Sequence, residues 1–586
     1  MQKAPFWRRF LFRIAGMSNR YDRQIRLWGD DGQSCIMKTS VCMLGSSGLA
    51  CEVLKNLVLA GVKFIRIVDS ALISKPDLGQ NFFVEKKHLG EPRAKVTLEL
   101  LKELNPAVDG DYSLDSLESF NDDQLEQMSN FSIVIGANLL ESVAIAVSDY
   151  LFPRNVPFIY TRVYGMIATL RVSVREHTIS DAKFEHKQND LRLDRPFLEL
   201  MNYVNGIDLD ALNYEQYSHV PFGVLYFKAL EKWRSEHGES NEDFPDVYKK
   251  RKEFERVLLA MQRESDTGAK DAQNFAEAQQ NIIRSVQRHK IPDGVKKILQ
   301  KCERFFEIGN REKPTAFWLF ALALNKFVFD HGELPMSGVL PDMFSDSKSY
   351  ADLLRMYHEK ALRDADEVFE YAREAAKVHL QAPIDDYMTL ARCQQMCKHA
   401  SFLGVVEGTP LRTDSECYKE LLDAIVPTEN LEESPIVVDP RIWYILLKAA
   451  DRFYVEKNRY PGTNGIPVDM DRADLTRRLQ GIIANCQQNN TKTWPKSMTS
   501  DCEDLRGKID DMFQETKDST LVKRASALFP SIAIEEMCRF GASEPHVIAA
   551  LMGGVVAQEG IKLVTHQYIP CQNYVFDGNS QHGAAL

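Results

Sequence analysis

The residues that most suggest chemistry lie between Val41 and Glu52, VCMLGSSGLACE, where an apolar run passes through a glycine-containing turn into a helical pattern. A strand, turn and helix joined in this way aim backbone N–H groups and a helix N-terminus at a phosphate. Glycine serves such a loop three times: in the tight turn, in backbone approach to the phosphates, and in packing helix on strand. Gly45 and Gly48 remain, whereas Ser46, Ser47 and Ala50 fill positions that an intact loop gives to glycine or the smallest side chains. The pattern predicts a nucleotide scaffold that is kept and a cargo that is lost. Asp69 ends the next apolar run, KFIRIVD, where an acid can bond a ribose or, equally, cap a loop.

Thiols are the second set of candidates, since a nucleophilic cysteine needs an accessible, activated thiolate. Cys302 lies in the helical pattern KKILQKCERFFEIG, where a half-buried structural thiol is the simple reading. Cys393, Cys397 and His399 fall at helical spacing in ARCQQMCKHAS, but three ligands without a fourth make a poor zinc site. Cys571 follows Pro570 beyond the last long apolar helix. No metal site is expected in this chain. Trp28 and Trp233 read as core or interface anchors, and KKRKEFER from Lys249 as a solvated helix face. Gly553 and Gly554 cost a helix about 1 kcal/mol each relative to alanine, so close packing against a sheet or helix should compensate.

These residues sit on a readable frame. From Lys38 the chain alternates strand (SVCMLG), helix (LACEVLKNLVLAG), strand (KFIRIVD) and helix (PRAKVTLELLKELN), then strand FSIVIGA and helix ESVAIAVSDYLF. That alternation is the mark of a parallel α/β sheet. VPFIYTRVYGMIATLRVSV adds one or two strands. The expected α/β part therefore spans residues 17–174, after a tail of residues 1–16. Residues 175–519 are charged, helical and short of strands, a long insertion. The α/β domain resumes over 520–586 with the apolar helix PHVIAALMGGVVAQEGIKLVTHQ and a closing strand, YVFDG.

At 586 residues the chain is too long for one core. Its 44% hydrophobic and 26% charged residues are those of ordinary globular domains. A net charge of -11 argues against nucleic acid as a partner. Eleven cysteines, odd in number and set in apolar or helical patterns, fit reduced thiols in the cytosol or nucleus. No run approaches the roughly 18 apolar residues of a membrane span. The opening MQKAPFWRRFLFRIAG is basic and aromatic, as a targeting peptide is, but Met17 follows at once and an upstream start or a short tail is the simpler reading.

Taken together, YDRQIRLWG (Tyr21 to Gly29), GLACEVLKNLVLAGV, VDSALISKPDLGQNFF, GEPRAKV and the C-terminal EPHVIAALMGGVVAQEGIKLVTHQ resemble the activating enzymes for ubiquitin and ubiquitin-like modifiers, which share a ThiF/MoeB-like adenylation fold. DLRLDRPFLEL, HVPFGVLYFKALEKW, FWLFALALNKFV and GELPMSGVLPDM look like the helical region of the regulatory subunits that serve the neddylation (Rub) modifier. The resemblance spans nearly the whole chain, apart from residues 1–16 and the stretch from Cys486 to Ser519.

The resemblance locates the adenylation site. An acid two residues beyond Asp69 becomes Ala71, an Asn and an Arg become Gly79 and Gln80, the magnesium Asp falls near Asn138, and a following Arg near Val143. An amide in place of a carboxylate lacks the charge that holds magnesium. The family's Pro-Xaa-Cys-Thr signature is absent, so no cysteine is expected to be catalytic. Arg23 matches an arginine that, in the family's dimers, reaches into the partner's ATP site; alternatively it caps or salt-bridges the first helix. The implied protein is a Rossmann-like pseudo-domain split by a helical insertion. It would be a non-catalytic subunit whose catalytic partner holds ATP and magnesium, acting on the neddylation modifier and transiently on a conjugating enzyme. Rival readings are a subunit of a sumoylation-type enzyme, an independently active adenylating or dinucleotide-dependent enzyme, and a scaffold without even the trans contribution.

Overall fold

The computed structural model describes residues 19–182, 190–237, 243–264, 268, 272–306, 314–412, 415–425, 438–463, 496–516 and 529–586. The tail of residues 1–16 and Cys486 lie outside them. The chain divides into two compact units, residues up to His177 with Val406–Leu586, and Thr178–Val405.

The first unit opens with α1 (Asp22–Ile36), kinked at Gly29 where φ is 75°. Then come β1 (Ser40–Leu44), α2 (Gly48–Ala60), β2 (Phe64–Val68), α3 (Arg93–Leu104), β3 (Asp109–Ser113), α4 (Asp122–Ser129), β4 (Ile133–Ala137) and α5 (Glu141–Leu151). The antiparallel pair β5 (Phe158–Tyr164) and β6 (Ile167–Ser173) follows, and the chain leaves through β7 (Glu176–Ile179). The second unit is mainly helical. Its chief elements are α6 (Phe222–His237), α7 (Ala316–His331), the 29-residue α8 (Ser347–Ala375) and α9 (Leu390–Lys398), before β8 (Gly404–Glu407). Trp233 is fully buried in its core, as expected, and Trp28 is buried in the first unit.

The first unit resumes with α10 (Pro440–Lys457), α11 (Lys496–Gln514), α12 (Ser531–Phe540), α13 (His546–Thr565), β9 (Asn573–Asp577) and β10 (His582–Ala585). Its sheet runs β10-β9-β6-β5-β4-β1-β2-β3. The five strands from β5 to β3 are parallel and the rest antiparallel. β1 and β4 are buried along almost their whole length because helices cover both faces, which is why they read as unbroken apolar runs. β3, DGDYS, is a partly exposed edge strand and carries no apolar alternation to announce it.

The described residues between Val406 and Thr516 group with the sheet, whereas the sequence places them in the insertion. The reason is a set of buried charges under α10. Arg162 on β5 donates to both carboxylate oxygens of Asp451 at 2.8 Å, Lys448 pairs with Glu141, and Arg171 on β6 donates to Tyr444 Oη at 2.6 Å. Buried charges persist where they are paired, and this pairing fixes α10 on the sheet. Helical periodicity reports that a helix has a buried face, not which core receives it.

α13 is, contrary to the expectation that no run is apolar enough to span a membrane, long and apolar enough to do so by length and composition, with a mean hydropathy of 1.6, though more than half of it is buried. Its apolarity has a local cause: it packs against α2, β5 and β6. A Cβ on Gly553 would lie 2.5 Å from Glu52 Cβ, so this glycine lets α2 and α13 touch, as expected. Gly554 faces open space and has no such reason.

Candidate functional site

The crevice expected to hold a nucleotide lies at the carboxyl ends of β1 and β4, where the strand order reverses. Its glycines are occupied by protein. At Gly45, with φ 107°, a Cβ would lie 2.9 Å from Ala137 O, and at Gly48 a Cβ would lie 2.7 Å from Gln80 O. Both glycines therefore admit neighbouring backbone. Ser46 and Ser47, between them, are buried.

Asp69, at the end of β2, is 1% exposed and fully engaged. Its Oδ2 accepts from Ser46 N at 2.9 Å, Ser46 Oγ at 2.6 Å, and Arg93 Nε and Nη2 at 3.1 and 2.8 Å; its Oδ1 accepts from Ala71 N at 2.9 Å. Of the two readings of this acid, the structure displays the loop-capping one. Arg93 also donates to Asp77 Oδ1 at 3.0 Å, and between two carboxylates its guanidinium is held in the charged form more firmly than usual, against the cost of burial. Arg93 went unnoticed in the sequence, although a cation in the first turn of a helix opposes the helix dipole and so signals an external partner.

Asn138, at the proposed magnesium position, adopts φ 55°. Its N–H donates to Thr161 O at 2.9 Å, its Oδ1 accepts from Val163 N at 2.8 Å, and its Nδ2 donates to Ser47 Oγ at 3.3 Å. The amide stitches the end of β4 to β5 and to the loop. Val143 is buried on α5 and Gln80 is partly buried at the end of a short helical turn. At the start of α2, Leu49 N–H donates to Glu544 Oε2 at 3.1 Å. Burial holds the Glu544 carboxyl above its ordinary range. Nothing in the spacing of SEPH pointed to this residue.

Arg23 is exposed on α1 and makes no hydrogen bond or ion pair with the described residues; the local ion pair of that turn is Arg26 with Asp22, at 2.9 Å. The cysteine candidates are shielded. Burial pushes the Cys302 thiol up to about 12 and raises Cys571 and Cys397 as well. His399 Nε2 sits 2.9 Å from Asp181 Oδ1.

The ThiF family model matches residues 21–583, and the chain belongs to the ThiF family. Over nearly its whole length it is similar to NEDD8-activating enzyme E1 regulatory subunits. The one from Caenorhabditis elegans is 39% identical over 579 residues, covering 97% of this chain and 98% of that protein. Those from Danio rerio and Gallus gallus are each 32% identical, over 97% of this chain and 98% and 97% of theirs.

Proposed function

We propose that this chain is the non-catalytic half of a heterodimeric NEDD8-activating enzyme. A catalytic partner holds ATP, magnesium and the thioester cysteine, adenylates the C-terminal glycine of the modifier, captures it on sulfur and passes it to a conjugating enzyme. One observation carries the reading: the chain's own adenylation crevice is spent on itself. Asp69 is saturated by Arg93, Ser46 and Ala71, and Asn138 is committed to backbone and Ser47. Free cysteines, many of them buried, suit the cytosol and nucleus, where we place the complex.

Arg23 is this chain's contribution to the chemistry. A guanidinium supplied across an interface neutralises phosphate charge without a local nucleotide site. It shares a face of α1 with Leu27, four residues on, which is 54% exposed. Leu59 on α2, Val547 and Leu551 on α13, and Phe82, stacked 5.5 Å from His546, are also exposed, and Gln24 on α1 bonds Leu59 O at 3.2 Å. Apolar surface gathered on three adjoining helices suits a protein partner.

Measuring modifier adenylation by the assembled complex after Arg23→Ala tests this. The expected loss is on the order of a thousandfold with the complex intact; an unchanged rate would leave Arg23 a surface residue and favour the scaffold reading.

A further inference from the structure

The first amides of α2 are those that a nucleotide-binding fold turns toward a phosphate. Here the place is taken from 495 residues along the chain. Leu49 N–H donates to Glu544 Oε2 at 3.1 Å. The Ser47 and Asn138 side chains and the Arg93 guanidinium are near enough to the same carboxylate to favour its charge, against the burial that disfavours it. A loop hydroxyl, a helix amide, a side chain at the end of β4 and a cation thus converge on one anion. A helix N-terminus carries about half a positive charge, so the arrangement suits a carboxylate as it would suit a phosphate oxygen.

We propose that Glu544 is a tethered anion that closes the retired cradle, occupying the phosphate position and clamping the segment ahead of α13 onto the loop between β1 and α2. Its backbone is delivered firmly. Gly165 N–H donates to Ser543 O at 2.7 Å, and the Phe540 ring covers Gly165 so closely that a Cβ there would lie 2.1 Å from it. A carboxylate held by its own fold competes at a very high effective concentration, as any intramolecular ligand does. The loss of nucleotide binding is then maintained actively: restoring ligands at Ala71 or Asn138 leaves the cradle shut while Glu544 stays.

This inference rests on the reading of the crevice as retired, yet its test is independent of catalysis. Thermal melting of the full-length chain is recorded for the native protein, Glu544→Ala and Glu544→Gln, with and without millimolar inorganic pyrophosphate. Glu544→Ala is expected to melt several degrees lower and to recover part of that loss with pyrophosphate, which leaves the native protein unchanged. Glu544→Gln keeps the shape, folds in any case, and is expected to show a weaker pyrophosphate effect. Pyrophosphate stabilising neither variant, or the native protein as much as the variants, would overturn the proposal. Neither result involves the partner or adenylation, so the division of labour between subunits is tested separately by Arg23.

Discussion

Asp69 and Arg93 tie the loop between β1 and α2 to the end of β2. Removing one member of a buried ion pair leaves the other charged without a partner, at about 3 to 5 kcal/mol. Asp69 is buried and Arg93 nearly so. Arg93 keeps Asp77 when Asp69 is removed, so Asp69→Ala should cost less than that full amount, about 2 to 3 kcal/mol in urea unfolding, and a loss below about 1 kcal/mol would mean that Asp69 is not the lock of this loop. Restoring the lost magnesium ligand should fail in an informative way. Asn138→Asp sets a second carboxylate beside Glu544 and removes the Nδ2 donor to Ser47. It is expected to lower stability by about 1 to 3 kcal/mol, with no magnesium-dependent change in melting; a magnesium-dependent rise would contradict the account.

His177 supplies a pH dependence. Burial, and then the neighbouring His566 ring stacked 5.3 Å away, lower it from 6.5 to about 4. The folded protein keeps the ring neutral while the unfolded chain takes up a proton below pH 6.5. Stability is thus whole above pH 6.5 and lost as pH falls toward 4, by about 3 kcal/mol at most. His177→Gln should flatten the melting temperature over that window, whereas an unaltered slope would place the acid sensitivity elsewhere.

Among the elements, those with an apolar period were legible and those without were not. β1 and β4 declare themselves because both their faces are buried, β2 and α2 because apolar residues dominate the faces they bury. The edge strands β3, DGDYS, and β10, HGAA, owe their place to pairing with a neighbour, which leaves no mark in composition. The glycine pair divides along the same line. Gly553→Ala forces α2 and α13 apart, since the added carbon would lie 2.5 Å from Glu52 Cβ, and should cost about 1 to 3 kcal/mol. Gly554→Ala meets nothing and should stabilise the isolated chain by up to about 1 kcal/mol. Calorimetry of the two variants side by side distinguishes them; equal effects would mean that the packing of α13 on α2 is misjudged.

On the scale of the whole molecule, the split α/β domain was visible because motifs at both ends of the chain belong to one sheet. The end of the insertion was not, because α10 is tied to that sheet by Arg162–Asp451 and Arg171–Tyr444, pairs brought together only by folding. The place of the crevice was legible, from Gly45, Gly48 and Asp69. Its filling by Glu544 was not, since long-range contacts of a single residue leave no local pattern. If the exposed apolar residues of α1, α2 and α13 carry the proposed heterodimer, Leu551→Arg should abolish assembly with the catalytic partner in size-exclusion chromatography while leaving the fold of the isolated subunit intact.

On the proposed reading, this polypeptide holds no Mg-ATP of its own and serves a site in another chain. Titrating Mg-ATP into the isolated full-length protein by calorimetry tests it most directly. No saturable heat is expected up to millimolar nucleotide; saturable, stoichiometric binding by the chain alone would show that it keeps a working site.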